Sequence, residues 1–196
     1  MTVATEVVEL LVKSAGTWLF EGHQSGLSDR EWMALRFLAR ANRFSRTPSA
    51  LAIFLGATRS GASEVAAELR KRGLVISEPS AEDRRSTTLS VTSRGRKFLD
   101  RDPINALRDR IAALALDDRS QLRHSLRRVL VQCDVAQRRH NTDICSGCIF
   151  LVEDGVGNDR HFKCRRFRKA IAAKDTELLC TYFEERSERD LAAEAS

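Results

Sequence analysis

The tightest constraint in this 196-residue chain lies between Thr47 and Gly73, where two helices are written back to back with a single residue between them. Thr47-Pro48 opens the first. Threonine offers a side-chain oxygen to the unpaired amides of a first turn, and proline at the first helical position has its φ preset and no amide to leave orphaned. Gly56 closes that helix and Thr58 caps the next, which leaves only Ala57 as a link. In the second helix Ala62, Val65, Ala66 and Leu69 share one stripe, and Gly73 ends it. Helices joined this tightly fold across one another as a helix-turn-helix. Opposite the apolar stripe lie Ser60, Ser63, Glu64, Ala67 and Lys71, with Thr58 and Arg59 at the exposed N-terminal end. Small, hydrogen-bonding side chains there suit a helix that meets base edges in a major groove with its N-terminus leading; they also suit an ordinary solvated face.

The flanking segments narrow the choice. Upstream, Leu27-Ser28-Asp29-Arg30-Glu31-Trp32 is a capping box with a hydrophobic staple, and Trp32, Leu35, Leu38 and Ala39 continue on one helical face. The pattern lapses in the polar stretch Asn42 to Arg46. Downstream, Leu74-Val75-Ile76-Ser77 and Ser86-Thr87-Thr88-Leu89-Ser90-Val91 are β-branched runs separated by eight residues that end in Asp83-Arg84-Arg85. They predict a hairpin with a long, basic-ended tip, the wing of a winged helix. A minor groove concentrates negative potential, so Arg84 or Arg85 on such a tip is drawn into it.

In this order the capping-box helix, the Thr-Pro helix, the second helix, Arg72-Gly73-Leu74-Val75, Glu82-Asp83-Arg84-Arg85 and Val91-Thr92-Ser93-Arg94-Gly95 resemble the DNA-binding lobe of the multiple-antibiotic-resistance regulator (MarR) family. The similarity spans roughly residues 5 to 135, and the wing motif is its most diagnostic part. The resemblance implies a homodimer held by the N-terminal and last two helices. It also implies a pseudo-palindromic operator of double-stranded DNA as partner, with one recognition helix per half-site. Residues 58 to 72 then form the recognition helix. Thr58, Arg59, Ser60, Ser63, Arg84 and Arg85 are the candidate DNA-binding residues, with phosphate contacts expected from Arg43, Arg46 or Lys71. The residues themselves support the dimer elements: Val3, Val7, Leu10, Leu11 and Trp18 give the N-terminal segment an apolar stripe, and Leu122, Leu126, Val129, Leu130 and Cys133 give another to a helix opened by Asp117. Such stripes also occur as intramolecular core. One departure from the family pattern is Asp102-Pro103, which interrupts what is usually a single long helix, so a break is expected there with Asp102 capping a new helix.

Charge and cysteine divide the chain. Residues 1–138 hold 23 basic and 16 acidic side chains, whereas residues 139–196 hold 10 and 11. A basic body fits a polyanionic partner or mere solubility. No stretch approaches the ~18 apolar residues of a membrane span, and a basic start with a small-residue cleavage site is missing, so a cytoplasmic protein is expected. In such a compartment cysteines rarely form disulfides. Four of the five cysteines fall in the second segment as Cys145-x2-Cys148, Cys164 and Cys180, with fifteen residues in each of the two longer gaps. The expected arrangement is a Cys145–Cys148 knuckle, a short hairpin returning Cys164 to it, and a basic helix from about residue 165, containing Ile171, Leu178 and Leu179, that delivers Cys180. Four thiolates bind zinc or an iron–sulfur cluster equally well. His161-x-x-Cys164 offers an alternative ligand set of three cysteines and a histidine that leaves Cys180 over. Unligated, reduced cysteines in a partly folded extension are the remaining possibility. Cys133 is expected to be core.

The expected architecture is mainly α with a small β-hairpin wing. Residues 1–138 form a winged helix-turn-helix with a helical dimerisation region, and residues 139–196 a small cysteine-rich module. No catalytic serine–histidine–acid context or phosphate-binding loop is legible, so no enzymatic activity is expected. The rival functions are a winged helix that docks a protein and a thiol oxidoreductase using Cys145 and Cys148. The latter motif normally opens a helix after a strand in a βαβ setting, which is absent here.

Overall fold

The computed structural model describes residues 2–22, 26–79, 86–133, 142–155 and 160–186, with the side chains of all but 17–22, 131 and 133. Helix α1 (Val3–Gly22) precedes α2 (Asp29–Arg40). The capping box at α2 is complete: Ser28 Oγ accepts from the Glu31 amide, and the Glu31 carboxylate accepts from the Ser28 amide at 2.7 Å. Leu27 and Trp32 are both buried beside it. Helix α3 (Pro48–Leu55) starts at Thr47, whose side chain accepts from the Ala50 amide, and ends at Gly56 in the left-handed region with φ 57°. Helix α4 (Arg59–Lys71) is capped by Thr58 accepting from the Gly61 amide. Its stripe packs inward, with Ala62, Ala66 and Leu69 buried and Val65 at the margin.

Strands β1 (Val75–Pro79) and β2 (Thr87–Val91) pair antiparallel, with Ser77 opposite Leu89. The main core joins Trp32, Leu35, Phe37 and Leu38 of α2 to Leu51, Leu69, Val75 and Leu89, so one apolar mass carries the helix pair and the wing root. Helix α5 (Ser93–Leu99) is tied to that root: Thr92 donates its amide to Leu74 O at 3.0 Å and its hydroxyl to Gly73 O at 2.7 Å. Gly95 is forced by this closeness, because a Cβ there would lie 2.2 Å from the Leu74 carbonyl oxygen. The expected break follows. Asp102 Oδ1 accepts the Ile104 amide at 3.0 Å to open α6 (Ile104–Ala112), and the same carboxylate takes Arg36 in two-point contact, Nε lying 2.6 Å away. Helix α7 (Leu116–Cys133) begins with Asp117 and Asp118 in its first turn.

Beyond α7, β3 (Asp143–Ile144) pairs antiparallel with β7 (Leu179–Cys180), while β4 (Leu151–Asp154), β5 (His161–Cys164) and β6 (Lys169–Ile171) form a three-stranded antiparallel sheet in that order. The helix expected from residue 165 is replaced by β6 and the short α8 (Ala173–Thr176). The physical reason is the free edge of β5. Arg168 adopts φ 54°, which turns the chain so that Lys169 pairs with Cys164, and the sheet then satisfies backbone groups that a helix with only three scattered apolar residues would have to satisfy alone. Cys145, Leu151, Cys164 and Ile171 form a second small core, with Phe150, Phe162, Phe167 and also Phe44 packed on it. Among the described residues no helix is long and apolar enough to cross a membrane.

Candidate nucleic-acid interface and thiol cluster

The exposed end of α4 assembles from local chemistry. Thr58, Arg59, Ser60 and Ser63 are all exposed. Thr58 Oγ1 lies 3.0 Å from Ser60 Oγ, Arg59 Nη2 donates to Ser49 Oγ of α3 at 2.9 Å, and Ser63 Oγ donates to the Arg59 carbonyl at 2.8 Å. These bonds orient the side chains while leaving lone pairs and protons toward solvent. The helix N-terminus adds its own unpaired amides and positive dipole end. Arg84 and Arg85 lie outside the described residues. Lys71 is exposed at the far end of α4. The other two expected phosphate ligands have different employment. Arg46 Nε donates to the Ala41 carbonyl at 2.9 Å, and Arg43 donates to the Ala170 carbonyl and stacks 4.8 Å over Phe44. Both brace the connection between α2 and α3.

That connection was read from sequence as a patternless polar stretch, and it is the seat of the cysteine module. Asn42 N donates to Leu179 O at 2.8 Å, Thr181 N donates to Ser45 Oγ at 3.1 Å, and Phe44 stacks on Phe167 with ring centroids 4.4 Å apart. Within the loop, Asn42 Oδ1 accepts from the amides of Phe44 and Ser45, each at 3.1 Å. Arg46 O accepts the Leu89 amide of β2 at 2.7 Å, and Thr47 caps α3. Residues 41–46 thus touch the cysteine module on one side and hold α3 and the wing root on the other. The signal available in the sequence was slight: an asparagine, a serine and a phenylalanine where a bare linker needs none.

Cys145, Cys148, Cys164 and Cys180 are all free and buried. Cys145 through Gly147 form one 3-10 turn closed by the Cys148 amide on Cys145 O at 3.0 Å. Strand register brings the other two back: Cys164 pairs with Leu151, three residues after Cys148, and Cys180 pairs with Asp143, two residues before Cys145. Burial first, and then the charges of Cys180, Cys148 and Cys164, push the Cys145 thiol up to about 12. All three other cysteines therefore lie within Coulombic reach of it. Burial also raises Cys180, while the Tyr182 backbone, Asn42 and Ser45 pull it down. Among the described residues no three histidine, cysteine, aspartate or glutamate side chains stand as a ready-made ligand set. His161 is exposed and pairs with Asp154 at the opposite end of the hairpin from Cys164. At three residues' separation along a strand the two side chains take opposite faces, which disfavours the histidine alternative.

Two helices meeting at a one-residue turn, the second with its N-terminal end bare, followed by an antiparallel hairpin rooted in the same core, define a winged helix-turn-helix. Residues 25–86 of that lobe match the model of the MarR family. The transcriptional repressor MprA of Escherichia coli strain K12 is 34% identical over 113 residues, which are 56% of this chain and 64% of MprA. The chain thus spans a little under two thirds of that relative. A MarR-family transcriptional regulator from Silicibacter pomeroyi has the same fold, with a TM-score of 0.55 at 23% identity over 69% of this chain and 92% of that one. So does the transcriptional repressor CouR bound to a 23-mer DNA duplex, with a TM-score of 0.52 at 23% identity over 66% and 92%.

Proposed function

We propose that this chain is a homodimeric, sequence-specific regulator of transcription, acting as a repressor on a pseudo-palindromic operator. The observation that carries the reading is the bare, pre-oriented N-terminal end of α4, with Thr58, Arg59, Ser60 and Ser63 outward and the apolar stripe fully used for packing. That is the geometry with which a recognition helix enters a major groove. The printed functions of MprA and CouR support repression. The dimer is supported by apolar side chains that the monomer leaves in water: Val3, Val7, Leu10 and Leu11 on α1, and Val129 and Leu130 on α7, are exposed.

The reading includes a soft-metal site. Cys145, Cys148, Cys164 and Cys180 would supply four thiolates to one zinc ion or one iron–sulfur cluster, which would give a module with so small a core most of its stability. Its support is the convergence of four buried thiols from three strands and a turn, with no disulfide among them.

The test is a duplex enriched from a random-sequence pool by the full chain, titrated at two salt concentrations. Neutralised phosphates make log K fall steeply with log salt. Arg85→Ala should weaken binding by about 1–3 kcal/mol, the range for a lost specific contact in a groove. A pool that yields no enriched sequence, or an affinity indifferent to salt, would favour a winged helix that docks a protein instead.

A further inference from the structure

We propose that the thiol module controls DNA reading through residues 41–46, with Asn42 as the residue that senses the metal centre: the metal-loaded module holds this loop, and loss of metal releases it and weakens DNA binding. The inference rests on the two readings above, that α4 reads DNA and that the four cysteines bind metal.

Asn42 is 1% exposed, and its Nδ2 is buried with no hydrogen-bond partner among the described residues. A buried amide N–H group without a partner is costly and calls for an explanation. The group lies against Cys180, whose thiol it draws toward the ionised form. A neutral thiol is a weak acceptor, whereas a metal-bound thiolate is a strong one. The missing partner of Asn42 is therefore the Cys180 sulfur in its ligated state. Outer hydrogen bonds of this kind orient ligands and tune the metal they hold. Ser45 leans on the same sulfur and accepts the Thr181 amide one residue further on.

The response then has a short physical route. Metal loading deprotonates Cys180 and gives Asn42 Nδ2 its acceptor. Asn42 Oδ1 simultaneously accepts from the Phe44 and Ser45 amides, so the loop is fixed in the turn that sets Thr47 as the cap of α3 and offers Arg46 O to Leu89 of the wing. Without metal the small module loses its principal stabiliser, and the Leu179, Thr181 and Phe167 contacts that clasp the loop go with it. The helix pair and the wing root both take their position from this loop, so the loaded form is the one ordered for DNA.

The experiment uses the full chain purified anaerobically, with metal and sulfide analysis, and the enriched duplex described above carrying a fluorophore. One sample stays loaded, one is stripped with chelator under reducing conditions, and one is stripped and reloaded with Co2+ as probe. The stripped protein should bind the duplex roughly tenfold or more weakly, within the span of ordinary coupling between sites, and reloading should restore affinity. Asn42→Asp keeps the oxygen that braces the loop and removes the donor. It should shift the thiolate-to-Co2+ charge-transfer band and shrink the difference between loaded and stripped affinity, whereas Asn42→Gln should recover part of both. Equal duplex affinity of loaded and stripped protein overturns the coupling, and an unmoved Co2+ band in Asn42→Asp overturns the role of Asn42. A protein that takes up neither native metal nor Co2+ overturns the four-thiolate site beneath the inference. One that binds metal but no enriched duplex in any state overturns the DNA-binding reading instead.

Discussion

Gly95 and Cys145 show how much a single position settles here. Alanine at Gly95 would drive a methyl group into the Leu74 carbonyl, 2.2 Å away, and against a Val91 methyl at 2.8 Å. Neither neighbour is the loose end of a flexible side chain. Gly95→Ala should therefore destabilise the fold by about 1–3 kcal/mol, the usual cost of overpacking, seen as a lower midpoint in urea. Cys145 makes a statement about pH. In metal-free protein its pKa is about 12 against an ordinary 9.0, so between those values the unfolded chain releases a proton that the folded chain retains. Stability of the metal-free module should be flat below pH 9 and fall as pH rises from 9 toward 12, by linkage. Metal binding has the opposite sign, because the ligands must lose protons first, and affinity should rise with pH across the neutral range. Thermal melts of stripped protein at pH 8 and pH 10.5, beside Zn2+ titrations at pH 6.5 and 7.5, check both signs.

At the scale of elements, the break at Asp102-Pro103 is held by one carboxylate serving two purposes. It pairs with Arg36, whose side chain is 16% exposed, and accepts the first amide of α6. Asp102→Ala should cost about 3 kcal/mol because it leaves Arg36 without its partner in a poorly solvated place. Asp102→Asn, which keeps an oxygen for the Ile104 amide, should cost less, and equal urea midpoints for the two variants would refute the double role. This break was readable from sequence, as were α2, α3, α4 and the wing, because each is announced by residues whose effect is local: Ser28 with Glu31, Thr47 with Pro48, Gly56, Thr58, and the β-branched run ending at Val91. What was misread depended on distant partners. Nothing near residue 169 reveals that the edge of β5 is waiting for Lys169 to Ile171, and a helical reading of Ile171, Leu178 and Leu179 costs nothing locally. Arg43 and Arg46 looked like phosphate ligands for the same reason: a basic side chain beside a helix-turn-helix has the right charge, and only the fold supplies the carbonyls of Ala170 and Ala41 that occupy them. The cysteine spacing was legible, but its attachment to residues 42–45 was not.

The whole chain presents three tasks on one frame: two apolar helices, α1 and α7, turned outward; a bare recognition end on α4; and a thiol module seated on the loop between α2 and α3. If the outward helices meet a second copy, Leu10→Glu should convert a dimer to a monomer in sedimentation and weaken duplex binding far more than it alters the folded lobe, since Leu10 is 55% exposed and contributes little to its own chain's core. An unchanged sedimentation coefficient would place the dimer contact elsewhere. The contact between Gly95 and Leu74 has a mechanical meaning at this scale. With no slack between the β1 entry and the first turn of α5, and Thr92 bonded to both Gly73 and Leu74, the wing is a lever whose fulcrum is clamped to the stem. Force applied at its tip is delivered into α5 and on to the hinge at Asp102, so a bend in bound DNA would be felt in the stem as torque.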